Sequence, residues 1–508
     1  MHWYLGKSLR HLSRPRSSTH LIERLDTGTI GPVTTMPTFV RNFGNFSAAV
    51  HGVIVSSILL SGLLMSLIGG ILADRHGRPR IIGVGSFVFG IGAALETTSV
   101  QLAMFIVGRL IKGIGEGMFL MTVYVYIAEI SPAERRGTVA NIPQIMISSG
   151  IVLGFFICYG TAEIAGSLSW RLPLAIQAGI AFMNATACFL VPQSPRWLLA
   201  KGQRDQAQEI ISQLGIAHEE QIVLFQQSVR GLEHSVNETF LQSVRHAFRD
   251  FGAAFEAPVR GRTIFGCFIL AMQQFSGIDG ILYYAPILFR QAGLSSTQAS
   301  FLASGVSALV MMAVTIPATL WCDSWGRKTA SLVGGVSTSF FMLLVGSLYA
   351  AGKVYGDRGA ARWVVIVSIY LWAVAFSITW ALCLRMYLIE SLPRKTRSSG
   401  ASLAQASNWL ANYTVALTTP VFLARSSFGA YYFFASSTVL CTVVCAFVMV
   451  ETKGHSLEYI EQKYAERQTV VKQFGRWRKH ETQSVSLREI SQRREVKTEG
   501  CSLANKSL

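Results

Sequence analysis

Long apolar segments recur along the chain and are separated by shorter polar stretches. Each is about 18–25 residues long, and roughly twenty residues of α-helix span the hydrocarbon core of a bilayer. Eleven such segments are clear, and they lie near residues 48–71, 81–99, 103–126, 140–163, 172–191, 263–289, 298–322, 329–351, 363–388, 401–424 and 429–450. This pattern predicts an all-α membrane protein that crosses the bilayer many times.

The segment before the first clear one is atypical. Residues 25–40 are mostly uncharged, but they hold Asp26 and two prolines and are shorter than a usual span. Glu23 and Arg24 directly precede this segment, and each charge would cost roughly a few kcal/mol within the membrane. We therefore expect residues 1–24 to form a cytosolic tail and the first, atypical helix to follow it.

Three motifs occur twice, in the same order and at nearly the same separation. The basic loop around Asp74 has a counterpart around Asp323, 249 residues later. The pattern E-x-x-P-x-x-x-R runs from Glu129 to Arg136 and again from Glu390 to Arg397, 261 residues on. The third pair closes each half, at Pro192–Leu198 and Val450–Gly454. Such a duplication is typical of transporters whose substrate site lies between two repeats.

The duplication predicts twelve transmembrane helices in two pseudo-symmetric halves of six. The expected boundaries are an N-terminal bundle at 25–192, cytosolic linker helices at 193–262, a C-terminal bundle at 263–450 and a cytosolic tail at 451–508.

The net charge of +17 reflects topology rather than nucleic-acid binding. Most loop lysines and arginines lie on the side of the predicted membrane that also carries both termini, as the positive-inside rule requires of the cytosolic side. The eight cysteines form no CxxC pair and lie mostly in apolar segments, so neither a metal site nor a disulfide framework is expected.

Residues 273–286 place unusual polar groups inside an apolar segment. Gln273, Gln274, Asp279 and Tyr284 lie there with two glycines that can open the helix. Lipid cannot satisfy these groups, so they face either a water-filled cavity or a neighbouring helix. From these residues alone, substrate binding and helix packing are about equally supported.

The repeated loops predict a gate of ion pairs at the cytosolic ends of the helices. Glu129 with Arg136 and Glu390 with Arg397 stand at equivalent places in the two halves, and Arg75, Arg78 and Arg327 lie in the neighbouring basic loops. We expect this network to hold the two halves together in one conformation and to release them in another. The alternative is that these residues only anchor helix ends.

Taken together, these motifs resemble the sugar porter family of the major facilitator superfamily. The resemblance covers about residues 25–460 and includes Asp26-Thr-Gly28, Gly108-Arg109, Glu129 to Gly137, Pro192 to Leu198 and Glu451 to Gly454. It implies alternating access and a monosaccharide bound through side-chain hydrogen bonds.

The resemblance also assigns roles to individual residues. The family's sugar contacts fall on Gln144, Gln273, Gln274, Tyr284, Asn408 and Asn412. Amides suit vicinal hydroxyls because both donate and accept hydrogen bonds. Proton-coupled members pair an aspartate of helix 1 with an arginine of helix 4, which correspond to Asp26 and Arg109. Other members are uniporters without this coupling.

Two departures from the family are informative. Asp279 replaces the usual asparagine, and Arg385 replaces the usual stacking tryptophan of helix 10. Either the two form a compensating ion pair, or Arg385 binds the carboxylate of a sugar acid or quinate-like acid; the alternative is that Arg385 reaches the cytosolic interface. Helix 10 also lacks the glycine–proline pairs that normally let it unwind, so we expect altered gating.

The sequence therefore predicts a proton-coupled monosaccharide importer in the plasma membrane, with both termini cytosolic. It is not an enzyme and needs no cofactor or metal; its partners are a sugar, a proton and the lipid bilayer, with no nucleic acid, and we expect a monomer. The alternatives are a facilitative uniporter, a transporter of a sugar acid, or a non-transporting sugar sensor of the same fold.

Overall fold

The computed structural model describes most of the chain, with gaps in the loops and at both ends. The described residues are 7–130, 142–214, 240–257, 259–294, 296–321, 324–355, 359–393, 396–454, 459–460 and 462–464, and side-chain surroundings are described from residue 21 onward. Residues 1–451 form one compact unit and residues 452–508 a second. Within the described ranges every regular element is a helix, in agreement with the predicted all-α class.

The N-terminal half contains seven of these helices. They are α1 (Lys7–Thr35), α2 (Pro37–Phe43), α3 (Ala48–His76), α4 (Arg78–Thr98), α5 (Leu102–Ile130), α6 (Ile142–Thr161) and α7 (Leu168–Phe189). The short helices α8 (Pro195–Ala200), α9 (Arg204–Leu214) and α10 (Phe240–Ala253) follow in the predicted linker. Except for α2, the helices of this half are long enough to cross a bilayer.

The C-terminal half is built from six long segments, two of which are broken. They are α11 (Arg260–Phe275) with α12 (Ile278–Gln291), α13 (Thr297–Trp321), α14 (Arg327–Ala350), α15 (Ala361–Ile378) with α16 (Trp380–Ser391), α17 (Arg397–Arg425) and α18 (Gly429–Val448). With α1 and α3 to α7, the described residues therefore form twelve long helical segments in two sets of six.

Ten of the twelve segments are apolar and long enough to cross a membrane, and the other two are α1 and α17. Large apolar side chains on the outer faces, such as Leu64, Phe87 and Phe340, are more than half exposed. Aliphatic and aromatic side chains in that position suit contact with lipid tails. The more polar helices α1 and α17 instead pack inside the bundle, against α6 and α11 respectively.

The first helix is longer than the sequence pattern indicated. It begins at Lys7, so residues assigned to a cytosolic tail continue the helix that carries Asp26. Glu23 and Asp26 are buried, with 6% and 4% of their surface exposed. These charges lie at depth because they have charged partners within the bundle, which the length of the apolar stretch alone does not reveal.

The helix that contains the polar stretch 273–286 opens at Gly277, as its glycines predicted. Gly277 is in the left-handed conformation, with φ 92°, and α12 starts directly after it. A side chain there would also collide with the ring of Phe434, since a Cβ would lie 2.6 Å from it. Glycine avoids both costs, and the break places Asp279 in the first turn of α12.

The tenth long segment is also broken, although it lacks glycine–proline pairs. The break lies at Thr379, whose φ of −113° and ψ of −81° separate α15 from α16. The Thr379 hydroxyl donates to the carbonyl of Ala375 at 2.6 Å, and Gln273 Nε2 donates to the carbonyl of Trp380 at 2.7 Å. These side chains take up backbone acceptors at the break, so unwinding here does not need the family's usual residues.

The two halves meet along three helix pairs, α1 with α12, α3 with α17 and α6 with α13. One close approach is at Gly31 of α1, where a Cβ would collide with the carbonyl oxygen of Tyr283. Only glycine permits this backbone contact. Elsewhere between these helices the two halves leave a cavity.

Candidate functional site

A cavity lies between the two halves, and its empty space, counted together with the solvent at its mouth, is about 500 Å³. Both halves contribute to its lining, which is formed by Glu23, Arg24, Thr27, Leu59, Glu116, Leu120, Met121, Tyr124, Ile147, Gln274, Tyr283, Arg385, Gln405, Asn408, Trp409 and Asn412. The lining combines amides, two carboxylates, two guanidinium groups and several aromatic rings.

The C-terminal half supplies the amides of this cavity. Gln274 donates to Oδ1 of Asn408 at 3.3 Å, and Asn408 donates to the carbonyl of Leu270 at 2.9 Å. Oε1 of Gln274 and Oδ1 of Asn412 are buried and accept no hydrogen bond within the described structure. Because an unpaired buried acceptor is costly, these oxygens favour a ligand that brings hydroxyl donors.

Trp409 is a further lining residue, and it was not predicted. Its indole Nε1 is buried without a hydrogen-bond partner in the described structure. An aromatic face beside unpaired amides is a common arrangement in sites that bind both the apolar and the hydroxyl face of a ring. The sequence offered one signal, the position of Trp409 immediately after Asn408 on a polar helix.

Three of the predicted sugar contacts do not line the cavity. Gln273 donates to the Trp380 carbonyl at 2.7 Å, and the hydroxyl of Tyr284 donates to the carbonyl of Ala416 at 2.7 Å. Gln144 is half-buried on α6, outside the lining. For Gln273 and Tyr284, the contacts are those of side chains that join helices at the broken segment.

Asp279 takes its cation from the other half of the molecule. Its Oδ1 lies 3.2 Å from Arg24 Nη1, and its Oδ2 accepts from Asn412 Nδ2 at 2.7 Å. Arg24 also contacts Glu23, with 3.2 Å between Nε and Oε1. The expected pair between Asp279 and Arg385 is therefore not formed, and an ion pair between α1 and α12 stands in its place.

Arg385 points into the cavity rather than towards the end of its helix. It lines the cavity beside Tyr124 and interacts with the Tyr124 side chain. Among the described residues no carboxylate forms an ion pair with Arg385. Its guanidinium group is thus placed to meet a polar ligand.

The predicted pair of Asp26 and Arg109 belongs to a larger cluster of buried charges. Asp26 Oδ2 lies 3.4 Å from Arg109 Nη2, and Asp26 Oδ1 lies 2.8 Å from Lys112 Nζ. Lys112 Nζ also lies 2.6 Å from Glu96 Oε2, and Glu96 Oε1 lies 3.8 Å from Arg109 Nη1. We call Asp26, Glu96, Arg109 and Lys112 the charge quartet.

The charge quartet is sealed from the cavity. Arg109, Lys112 and Glu96 are 0% exposed, and none of the four residues lines the cavity. Its two cations and two carboxylates cancel, which is the condition under which buried charges are tolerated. Glu96, Lys112 and Glu116 were not singled out from the sequence, although a charge inside an apolar segment is itself a signal of function.

The predicted gate residues form ion pairs within each half. Arg78 binds Glu129 through two contacts of 3.1 Å, and Arg327 Nη2 lies 3.0 Å from Glu390 Oε1. Arg397 donates to the carbonyl of Leu392 in its own half.

Of the remaining gate residues, Arg75 is exposed and Arg136 lies outside the described residues. Glu451 accepts from the backbone amides of Arg327 and Lys328 at 2.7 and 3.1 Å, which caps the first turn of α14. Among the described gate residues, each ion pair stays within its own half.

Comparison with known proteins points to transport. A family model described as "Sugar (and other) transporter" matches residues 15–464. The chain is 28% identical over 472 residues to "Sugar transport protein MST7" of Oryza sativa subsp. japonica, covering 89% of this chain and 90% of that protein. It is 30% identical to "High glucose sensor RGT2" of Saccharomyces cerevisiae, covering 93% of this chain and 62% of the sensor.

Solved structures show the same fold. The inward-open conformation of the xylose transporter XylE from E. coli aligns with a TM-score of 0.71 at 25% identity, covering 88% of this chain and 98% of XylE. The match extends over both six-helix halves.

Proposed function

Because the chain belongs to the sugar transporter family of the major facilitator superfamily, we propose that it carries a monosaccharide, a hexose or a pentose, across the membrane. Transport proceeds by alternating access, in which the two halves rock about a site between them. Proton entry drives import. The protein acts in the plasma membrane with both termini in the cytosol.

One observation carries the choice of substrate. The cavity between the halves presents the unpaired amide oxygens of Gln274 and Asn412 together with the indole of Trp409. A sugar hydroxyl can satisfy each oxygen, and loss of one hydroxyl from the substrate would leave a buried acceptor unpaired. Such a site discriminates between sugars that differ by one hydroxyl group.

Proton coupling rests on the buried charges of α1 and α5. A charge inside the membrane is costly and is typical of proton relays in transporters. A proton that enters down a potential of about 100 mV supplies roughly 2.3 kcal/mol, which corresponds to about fiftyfold accumulation.

Arg385 supports a second candidate substrate, a sugar acid. Its guanidinium group lines the cavity without a carboxylate partner among the described residues. Arginine binds carboxylates through two parallel hydrogen bonds, so an anionic sugar derivative would complete its hydrogen bonding.

Uptake of labelled sugars in cells that lack their own transporters tests both candidates. The panel contains hexoses, pentoses, polyols and sugar acids, and the pH of a weakly buffered medium is recorded with each addition. Accumulation of a neutral monosaccharide with alkalinisation of the medium supports the first candidate. Accumulation of sugar acids alone, with loss of uptake in Arg385→Gln, supports the second, and binding without uptake would identify a sensor.

A further inference from the structure

Glu116 is a buried carboxylate on the cavity side of α5. It lies one helical turn after Lys112, is 5% exposed and lines the cavity. Among the described residues its carboxyl group forms no ion pair and no hydrogen bond. Burial without a cation disfavours the ionised form of a carboxylate and favours the form that carries a proton.

Asp26 is in the opposite situation. Lys112 and Arg109 occupy its two carboxylate oxygens, and both cations are fully buried. Glu96 balances the remaining charge of the two cations, so the charge quartet is neutral only while Asp26 stays ionised. A proton on Asp26 would leave a net positive charge in a sealed site, which is the costly arrangement.

The groups that face Glu116 come from several helices. The charges that act on it are Glu23, Asp26 and Arg24 of α1 and Arg109 of α5. Tyr124, Tyr283 and Arg385 share the cavity wall. Of the cations, Arg109 belongs to the charge quartet, whereas Arg24 lines the cavity together with Glu116.

Arg24 is held by the opposite half in the described conformation. Its Nη1 binds Asp279 of α12 at 3.2 Å and its Nε binds Glu23 at 3.2 Å. Asp279 moves away from α1 when the halves separate there, because it belongs to the other half. That movement frees one side of the Arg24 guanidinium group, and Glu116 is a carboxylate that lines the same cavity.

We propose that Glu116 binds the transported proton and that Arg24 controls its release. While Arg24 is paired with Asp279, Glu116 keeps its proton. When the halves separate, the O–H bond of Glu116 breaks, the proton passes to a water of the cavity, and the carboxylate pairs with Arg24. This assignment rests on the proposed proton-coupled transport, and it leaves the charge quartet ionised throughout.

Glu116→Gln tests the assignment because glutamine reproduces the protonated shape and cannot release a proton. The purified variant is reconstituted into vesicles and given the labelled monosaccharide that the panel selects, with D-glucose as the first probe. We expect exchange of labelled for unlabelled sugar to continue, and the roughly fiftyfold accumulation at 100 mV to fall to equality. Glu209→Gln, which removes an exposed carboxylate on α9, is the matched control and should accumulate normally.

Infrared absorption of protonated carboxyl groups gives a second readout that needs no transport. Reconstituted wild-type protein should show a band that Glu116→Gln lacks and Glu209→Gln retains. Glu116→Asp keeps a titratable group, so it should retain the band and accumulate sugar with a shifted pH profile. This variant keeps the assignment testable if the glutamine variant folds poorly.

Two results would overturn the assignment. An unchanged infrared band in Glu116→Gln would show that another group holds the proton, whether or not sugar moves. Proton-coupled accumulation that persists in Glu116→Gln and disappears in Asp26→Asn would move the proton to the charge quartet. Wild-type protein that exchanges sugar but never accumulates it would remove the proposed coupling itself, and the assignment with it.

Discussion

The two halves carry equivalent ion pairs at the ends of their helices but differ in their interiors. Each half has an arginine at the start of one helix bound to a glutamate at the end of another, Arg78 with Glu129 and Arg327 with Glu390. The interior of the N-terminal half holds the sealed charge quartet, whereas that of the C-terminal half presents amides with unpaired oxygens.

This difference divides the tasks of transport between the halves. A buried, neutral set of charges has no group that a sugar could reach, whereas amides with unpaired acceptor oxygens can form specific hydrogen bonds with sugar hydroxyls. The two interiors meet where Arg24 of one half binds Asp279 of the other. In the proposed mechanism, sugar recognition therefore belongs mainly to the C-terminal half and charge handling to the N-terminal half, and the ion pair connects them.

The largest effect on stability is expected from removing one cation of the charge quartet. Lys112→Met leaves Asp26 and Glu96 with Arg109 as their only cation in the described structure. Removal of one partner from a buried ion pair costs about 3–5 kcal/mol. Thermal unfolding of the purified protein in detergent should show a large fall in the midpoint temperature.

A compensating change distinguishes charge balance from simple packing. The double variant Lys112→Met with Glu96→Gln removes one cation and one carboxylate and should regain most of the lost stability. If the double variant is no more stable than Lys112→Met alone, the quartet is not held together by charge neutrality, and the contrast between the halves is wrong.

The next effect concerns the ion pair that joins the halves. Among the described residues, Arg24→Met leaves the Asp279 carboxylate with the Asn412 amide as its remaining side-chain partner, and we expect a cost of about 1.5–3 kcal/mol. Asp279→Asn in the same protein should restore much of this loss, measured again by thermal unfolding.

Arg385→Met provides the matched comparison, since it removes an arginine from the same cavity. Combined with Asp279→Asn, it should give additive losses because the two side chains share no contact. Strong coupling between Arg385 and Asp279, without coupling between Arg24 and Asp279, would restore the ion pair that the sequence analysis gave as one alternative.

Within the C-terminal half, variants of Gln274 and Tyr284 distinguish a residue that binds substrate from one that joins helices. Gln274→Leu removes a hydrogen-bonding group from the cavity and should raise KM by roughly 5–30-fold, equivalent to about 1–2 kcal/mol. Tyr284→Phe should leave KM nearly unchanged, because its hydroxyl donates to the Ala416 carbonyl. Initial rates of labelled uptake check both, and a larger KM change in Tyr284→Phe would place Tyr284 at the substrate.

The long apolar segments and the duplicated motifs were sufficient to predict the fold. The length of an apolar segment can be read without knowing what the segment packs against. The glycines at 277 and 280 indicated where a helix can open. The start of α1 could not be predicted in the same way. Considered in their local sequence alone, the charges of Glu23 and Arg24 argue against burial. The partner that Arg24 has in the other half, Asp279, lies 255 residues away in the sequence.

Within the candidate site, residue type indicated which side chains can form hydrogen bonds, but not which group each of them bonds to. Gln274, Asn408 and Asn412 line the cavity, while Gln273 and Tyr284 join helices; the predicted sugar contacts of the first three stay a prediction. An amide can do either. Gln273 and Gln274 are adjacent on α11, so the rotation of that helix about its axis decides which of them faces the cavity, and a one-dimensional pattern does not fix that rotation.

The smallest effects test whether the gate acts across the halves. Arg78→Gln and Arg327→Gln should each cost about 1 kcal/mol, because both ion pairs are only partly buried. The pairs lie in different halves and share no partner among the described residues, so the double variant should show the sum to within about 0.5 kcal/mol. A larger deviation in thermal unfolding would mean that the two ends are coupled. Because the described ion pairs stay within their own halves, such coupling would have to arise in another conformation, and the gate predicted from the sequence would act there.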